Sequence, residues 1–410
     1  MRTPSAYLRL LSLAWLGLTS LAAQEASTDA TAEPPERPVG VRFEEAELLD
    51  YLEYVQLAYE DSGVPGLALT TVQGDGTMSV SAVGVRDVDS QQPVTQDTRF
   101  ALGEVTGALM SLLTSIAEVK NQAKLDDSLR TVGDGLFRVP DTERAPVTLR
   151  ALWSQTGGVP TQLDNVLADP RNDTADLRAA LQQTTLTDLP ETRFQPSKAS
   201  QAAAAYALSA ELRSGTSNGA PLRETFLGVA QEEILRPLGI QGGLFSRLEL
   251  LQTRDFALGH APAQSGNDWV VEESYRADTA ALLPAQGLRA CIIDVAVWLS
   301  FEVRLGLSVY EIDVLPPQRV RERWQPVLRR LEGQPAMGWE REFVGGVPVL
   351  LSTGTIDQQS ALVAILPDQK TALGVMTNVP GEASGELFRD LLITFCELTV
   401  QAQQRENAQP

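Results

Sequence analysis

Glu104 and Gly107 lie three residues apart in the stretch FALGEVTGALMS (100–111), where small residues give way to an apolar run. Three residues on the first turn of a helix is a spacing that suits a nucleophile and the base that accepts its proton. Neither residue type suits that chemistry, because glycine has no side chain and a helix start favours the charged, weakly basic carboxylate. Glycosidase chemistry would need a second carboxylate at a defined separation, which the sequence does not place. We therefore interpret Glu104 as a helix cap, and new catalysis through it stays an alternative.

A serine nucleophile elsewhere would need its own base. The only histidine is His260, and Ser217 in GTSNG (215–219) matches G-x-S-x-G. That motif works on a strand-to-helix turn, whereas here it separates two helical patterns and is predicted to be a loop. His260 is likewise predicted to be a loop residue without a catalytic role.

A lysine base would require S-x-x-K. The residues three positions before Lys120, Lys124, Lys198 and Lys370 are Ala117, Asn121, Gln195 and Pro367. S-x-x-K is therefore absent from the chain.

The sequence predicts no cofactor and no His/Cys metal site, because it has a single histidine and neither CxxC nor HExxH. A carboxylate-only cation site stays open, although no EF-hand spacing is present. Cys291 and Cys396 lie in apolar, helix-like surroundings. They are interpreted either as buried free thiols or as one disulfide.

The elements that would position these residues follow from periodicity. An amphipathic helix ending near Gly63 precedes two strands, 66–72 and 77–85, joined by a turn that contains Asp75-Gly76. Helical patterns then cover 105–121, 147–154, 173–184, 198–213, 223–236, 289–305 and 316–332. Strands return at 347–353, 360–367 and 371–378, followed by a closing helix. Strands at both ends of the chain must pair to build one sheet of useful size, so we predict an α+β fold with a mostly helical insertion.

The predicted organisation begins with a signal peptide over 1–23. Arg2 and Arg9 precede or flank a short apolar run, and small residues follow near Ala22 and Ala23. The expectation is an exported, periplasmic or secreted protein without stable membrane insertion; an N-terminal helix is the alternative. The other predicted parts are a disordered lead-in (24–40), a sheet domain (41–99 and 335–402), a helical domain (100–334) and a polar tail (403–410).

The net charge of −20 limits the kinds of molecule that the protein surface can bind. Such a surface repels nucleic acid and anionic lipid, and no basic stripe offsets it. Nucleic-acid binding is therefore excluded.

An ordered series of segments resembles the serine beta-lactamase superfamily, in particular its class C-like branch of esterases and D-Ala-D-Ala carboxypeptidases. The segments are SGVPGLALTTV, VTQDTRFALGEVTGALM, VTLRALWSQTGGVP, EEILRPLGI, LLPAQGLRACIIDVAVWLSF and SALVAILPDQKTALGVMTN. The resemblance covers about residues 61–399 and implies a beta-lactamase-like fold, with an antiparallel sheet flanked by helices.

The resemblance also places the family's catalytic positions. The nucleophilic serine falls on Glu104, the lysine on Gly107, and the Tyr-x-Asn motif on Pro196-Ser197-Lys198. The Lys-Thr-Gly or His-x-Gly motif falls on Ser352-Thr353-Gly354, and a turn histidine has become Gln155. The side chains that the family chemistry needs are thus replaced.

These observations predict a non-catalytic protein with a residual cleft for an unknown small molecule, peptide or protein. Two alternatives stay open: a hydrolase of esters, amides or beta-lactams that uses non-standard residues, and an interaction module with a filled pocket. Lys198 is also predicted as an ion-pair partner of Glu104, with a solvated lysine as the alternative.

Overall fold

The computed structural model describes residues 40–139, 145–214, 219–264, 268–272, 279–329 and 333–408. The predicted signal peptide, the lead-in up to residue 39 and Ser217 lie outside these ranges.

Strands from both ends of the described chain build the main sheet. In chain order the strands are β1 (Gly66–Val72), β2 (Met78–Asp87), β3 (Gln92–Pro93), β4 (Phe100–Ala101), β5 (His260–Pro262), β6 (Trp269–Val271), β7 (Arg289–Ala290), β8 (Gln334–Pro335), β9 (Glu340–Val344), β10 (Val347–Ile356), β11 (Gln359–Leu366) and β12 (Thr371–Thr377). The eight-stranded sheet is antiparallel and has the order β3-β2-β1-β12-β11-β10-β9-β8. Leu67 pairs with Val83 on one side and with Thr377 on the other, so the predicted joining of the two chain ends is confirmed.

Helices occupy both faces of this sheet. They are α1 (Glu45–Ser62), α2 (Val105–Met110), α3 (Leu112–Val119), α4 (Leu149–Trp153), α5 (Gln162–Leu167), α6 (Thr174–Gln183), α7 (Lys198–Leu212), α8 (Leu222–Val229), α9 (Arg236–Leu238), α10 (Arg247–Thr253), α11 (Leu283–Gln286), α12 (Ile292–Val303), α13 (Pro317–Arg323) and α14 (Gly381–Ala408). Short 3₁₀ helices cover Val132–Gly135 and Ala280–Leu282, and a π-helical segment, Ala230–Leu235, joins α8 to α9.

Two hydrophobic cores follow from the alternation of side chains along the strands. In β1, Ala68 and Val72 face the larger core, which contains the helical region. Leu67 and Leu69 face a second core, where α1 and α14 cover the other side of the sheet. The α+β prediction is therefore confirmed, with the helical region inserted between the two strand-forming ends.

Several predicted helices are shorter or interrupted. The 105–121 pattern breaks at Ser111 into α2 and α3, and the 316–332 pattern ends at Arg323. The 289–305 pattern begins as a strand, while the closing helix runs on to Ala408. Pro326 follows α13 closely, and proline cannot supply the N–H that helix continuation requires.

The β9–β10 hairpin was missing from the prediction. Its turn is Gly345-Gly346, and both glycines have positive φ, of 57° and 85°. Such a pair is favoured in two-residue hairpin turns because it accepts left-handed backbone without a steric penalty.

Candidate functional site

The start of α2 lies directly against β10, and two glycines make this possible. Gly103 has a φ of 54°, and a Cβ there would stand 2.6 Å from the Thr355 nitrogen. A Cβ on Gly354 would stand 2.2 Å from the Leu102 oxygen. The close approach of the two backbones places Glu104 at the end of β10.

The Glu104 carboxylate connects two elements. Oε1 lies 2.8 Å from Lys198 Nζ, and Oε2 accepts the Thr355 N–H at 2.9 Å. Glu104 stands at the N-cap position of α2, but its side chain makes no capping hydrogen bond, so the capping prediction is wrong. The carboxylate instead bridges β10 and α7, because both offer it a donor. The predicted ion pair with Lys198 is present.

Lys198 is the first residue of α7, and the helix start is held by the partly buried carboxylate of Asp164. Asp164 on α5 accepts the N–H groups of Lys198 and Ala199 at 2.8 and 2.9 Å. Burial raises the pKa of the Asp164 carboxyl, although these two N–H groups act in the opposite direction. Ser197 caps the same helix by accepting the Ser200 N–H at 3.2 Å. Asp164 was not predicted, since its role depends on the packing of α5 beside α7.

Gly107 faces Gln201 on α7. A Cβ at Gly107 would stand 2.5 Å from Gln201 Oε1, and Gln201 Nε2 donates to the Trp153 carbonyl at 3.3 Å. Gln201 is only 2% exposed. Its amide therefore occupies the space that a longer side chain at position 107 would need.

Gln155 ties the turn after α4 to the segment that leads into α7. It has a φ of 57°, and its Oε1 accepts the Ser197 N–H at 2.8 Å. The neighbouring Pro196 carbonyl accepts the Thr161 hydroxyl at 2.6 Å. The Gln155 side chain acts here as a structural hydrogen-bond acceptor.

A cleft of about 410 Å³ lies between β10 and these helices. Six of the predicted positions line it: Glu104, Gln155, Pro196, Ser352, Thr353 and Gly354. Lys198 and Gly107 do not line the cleft themselves, but each contacts a residue that does: Lys198 pairs with Glu104, and Gly107 packs against Gln201. Residues not predicted complete the wall: Ser154, Phe194, Gln201, Ala336, Gly338, Trp339, Glu340, Leu351 and Thr355. Among the described residues that line the cleft there is no histidine and no lysine.

The pairing of β9 leaves one edge of β10 open at the cleft. The last paired residues are Leu351 and Glu340, so Ser352 onward has no β9 partner. Thr355 uses its N–H on this edge for Glu104. Neutral polar groups, two aromatic rings and this strand edge give the cleft hydrogen-bonding and stacking capacity rather than an evident nucleophile–base pair.

A buried ion pair supports the other side of α2. Arg323 Nη1 lies 2.9 Å from Glu302 Oε1, and both side chains are fully buried. Arg323 also donates to Ser111 Oγ and to the Ala108 carbonyl, each at 3.0 Å. Trp298 Nε1 donates to Glu302 Oε1 at 3.0 Å. These bonds explain the break between α2 and α3, because Ser111 and Ala108 face a partner from α13.

His260 and the cysteines lie away from the cleft. His260 is buried in β5 rather than in a loop. Its Nε2 accepts the Val88 N–H at 3.2 Å, and its Nδ1 lies 3.1 Å from the Asn378 carbonyl oxygen. Because Nε2 accepts a hydrogen bond, the proton of the neutral ring is on Nδ1, which donates to that carbonyl. Burial lowers the pKa of His260. Cys291 and Cys396 are both free and buried, and burial raises the pKa of each thiol to about 12.

The described residues contain no group of three or more His, Cys, Asp or Glu side chains placed to hold a metal ion. None of their helices combines the length and the apolar composition needed to cross a membrane.

The α+β architecture, with a cleft between the sheet and an inserted helical region, defines a beta-lactamase-like fold. The family model described as Beta-lactamase matches residues 41–394, and the chain belongs to that family. No curated protein sequence matches the chain.

Solved structures share this fold at low sequence identity. The octameric penicillin-binding protein homologue from Pyrococcus abyssi is 16% identical, with a TM-score of 0.67, 85% of this chain covered and 77% of the other. SurE is 22% identical, with a TM-score of 0.67, 86% of this chain covered and 76% of the other. The beta-lactamase/D-alanine carboxypeptidase from Pseudomonas syringae is 17% identical, with a TM-score of 0.65, 85% of this chain covered and 98% of the other.

Proposed function

We propose that this chain is a non-catalytic member of the Beta-lactamase family whose cleft binds a small molecule, a peptide or a segment of a partner protein. The observation that carries the proposal is the Glu104 carboxylate at the position where the family resemblance places a serine. Its two oxygens are engaged by Lys198 Nζ and by the Thr355 N–H. A carboxylate whose two oxygens are held by an ammonium group and a backbone N–H is a poor nucleophile.

The position of the base supports the same function. Gly107 offers no side chain, and the buried Gln201 amide fills the space beside it. A carboxamide does not accept a proton at neutral pH, so it cannot replace an amine base. The hydrolase alternative would have to recruit groups from outside this pair.

The open cleft supports binding. Its volume of about 410 Å³ falls within the range of small-molecule sites, and it is lined by amides, hydroxyls, aromatic rings and the Glu104 and Glu340 carboxylates. This free volume favours a binding cleft over a module whose pocket is filled by its own side chains.

Catalysis is tested with a fluorophosphonate probe, a fluorescent penicillin, a chromogenic cephalosporin and a p-nitrophenyl ester. We expect no covalent labelling and no turnover above that of heat-denatured protein. Ser352→Ala and Ser154→Ala are the matched controls, since both serines line the cleft. Labelling mapped to a serine and removed by its alanine variant would contradict the proposal.

Binding is tested by a thermal-shift screen with cell-wall peptides and D-amino acids. D-leucine belongs in the screen because a structure of SurE with D-Leu shares the fold, at 22% identity and a TM-score of 0.64. A ligand that binds the native state raises the melting temperature with concentration. Ser352→Leu, which narrows the cleft, should remove the shift. A flat response across the screen would favour the interaction module.

We also propose that the protein is exported to the periplasm or the medium. The support is the basic start, apolar run and small residues of the first 23 positions. N-terminal sequencing of the exported protein should find a new terminus after Ala22 or Ala23. Recovery of the uncleaved chain from the cytoplasm would contradict export.

A further inference from the structure

A second cavity lies between the first half of α14 and the β9–β10 hairpin. Its volume is about 550 Å³, within the range of small-molecule sites. Apolar side chains dominate its walls: Phe343, Val344, Leu351, Leu362, Phe388 and Leu392. Phe343 is 63% exposed, so its ring is accessible to a molecule that enters the cavity. Two of the family positions discussed above, Thr353 and Gly354, also line this cavity.

The cavity is open because α14 presents small residues to it. Gly381, Ser384 and Gly385 follow the i, i+3, i+4 spacing that places residues on one helix face. A Cβ at Gly381 would stand 2.7 Å from Thr355 Oγ1, so the helix approaches β10 closely at this end. A Cβ at Gly385 would meet nothing within 4 Å. The helix therefore touches the strand at its start and leaves space one turn later.

One positively charged side chain, that of Arg389, lines this cavity. Arg389 follows Gly385 by four residues and lines the same wall. Within the part of the chain that the structure describes, no hydrogen bond or ion pair engages its guanidinium. Glu342 is the acidic residue of the lining and belongs to the opposite wall, on β9. In a chain of net charge −20, an unengaged guanidinium beside apolar walls favours an anionic group at this place.

We propose that this cavity binds an amphiphile with one apolar chain and a terminal carboxylate. The chain packs between Phe343 and Phe388, and the carboxylate accepts hydrogen bonds from the Arg389 guanidinium. Glu342 faces the apolar portion and weakens binding by its charge. The proposed occupant does not depend on the cleft function, although Leu351, Thr353, Gly354 and Thr355 line both cavities.

Calorimetric titration with dodecanoate, below its micelle concentration, tests the proposal. Dodecanol and dodecyltrimethylammonium carry the same chain with a neutral and a cationic head group. We expect dodecanoate to bind about tenfold more tightly than either, the size of effect that one charge-assisted hydrogen bond provides. Arg389→Gln should remove this preference, and Glu342→Gln should increase it.

Filling the cavity gives a second variant that keeps the fold. Gly385→Leu places a side chain in the open space and replaces a helical glycine, which favours the helix. Gly228→Leu is the matched control, because Gly228 is also a helical glycine with nothing within 4 Å of its Cβ and does not line the cavity. Dodecanoate binding should be lost in the first variant and retained in the second.

The possible results of these binding experiments distinguish the proposed site from its alternatives. Equal affinity for the three amphiphiles, or full dodecanoate binding by folded Gly385→Leu, overturns the proposal. Recruitment to phosphatidylglycerol vesicles without binding of free dodecanoate also overturns it, in favour of a lipid surface. Ser352→Leu should leave dodecanoate binding unchanged, so failure here is distinguishable from failure of the cleft function.

Discussion

The ion pair between Glu104 and Lys198 should contribute a measurable coupling energy to folding. The charged atoms lie 2.8 Å apart, and the side chains are 33% and 29% exposed. Two unit charges about 4 Å apart attract by about 4 kcal/mol at an effective dielectric constant of about 20. Fully exposed pairs retain only about 0.2–1 kcal/mol. For a pair with a third of each side chain in solvent, we expect a coupling energy of about 1–2 kcal/mol.

The measurement is a double-mutant cycle in urea with Glu104→Gln, Lys198→Met and the double variant. Glutamine keeps an oxygen that can accept the Thr355 N–H, so the cycle removes the charge rather than the hydrogen bond. Glu104→Gln should lower the free energy of unfolding by about 1–2 kcal/mol in the wild-type background and by much less in Lys198→Met. The coupling should persist in part at high salt, because partly buried pairs are less screened than exposed ones.

Strict additivity, within about 0.5 kcal/mol, would refute this reasoning. It would mean that Lys198 is effectively solvated and that Glu104 is held by β10 alone. Asp169 and Arg171 are the matched control, because Asp169 Oδ1 and Arg171 Nε lie 2.9 Å apart on the surface. Asp169→Asn and Arg171→Met should couple by no more than an exposed surface pair does.

Burial lowers the pKa of His260 below its usual value of 6.5, so its contribution to stability is present above about pH 6.5 and is lost as pH falls. His260→Gln should therefore flatten the pH dependence of the free energy of unfolding, measured by unfolding curves at about pH 5–8. Cys291 and Cys396 should not react with Ellman's reagent at pH 8 until the protein unfolds, and fast reaction of the native protein would contradict their burial. Arg323→Met should cost about 3–5 kcal/mol by stranding Glu302, and adding Glu302→Leu should recover part of that loss in chemical denaturation.

Five of the eight strands of the main sheet (β1, β2, β10, β11 and β12) could be predicted because each is at least seven residues long, whereas the shorter β3, β8 and β9 could not. β1 and β12 need partners on both sides, and joining the two chain ends supplies them. The break at Ser111 could not be predicted in the same way. It depends on Arg323, which lies more than 200 residues away in the chain and brings a buried charge to the Ala108 carbonyl. Periodicity carries no information about such a contact.

The candidate site could likewise be predicted only in part from the sequence. The family resemblance placed Glu104, Gln155 and Ser352 near one another, and the structure brings them to one cleft. It did not indicate Asp164 or Gln201, because their roles arise from the packing of α5 and α7. The capping role assigned to Glu104 was wrong because Lys198 and Thr355 compete successfully for the carboxylate.

The contact between Gly107 and Gln201 constrains which mutational paths lead from this sequence to an amine-assisted nucleophile. Glu104→Ser alone supplies a hydroxyl without a base and leaves Lys198 without its carboxylate. Gly107→Lys alone drives its first side-chain carbon into the Gln201 amide, whose movement also breaks the bond to Trp153. Each single substitution thus removes stabilising contacts without completing a nucleophile–base pair. A directed-evolution experiment that seeks hydrolase activity should therefore start from a library that varies positions 104, 107 and 201 together.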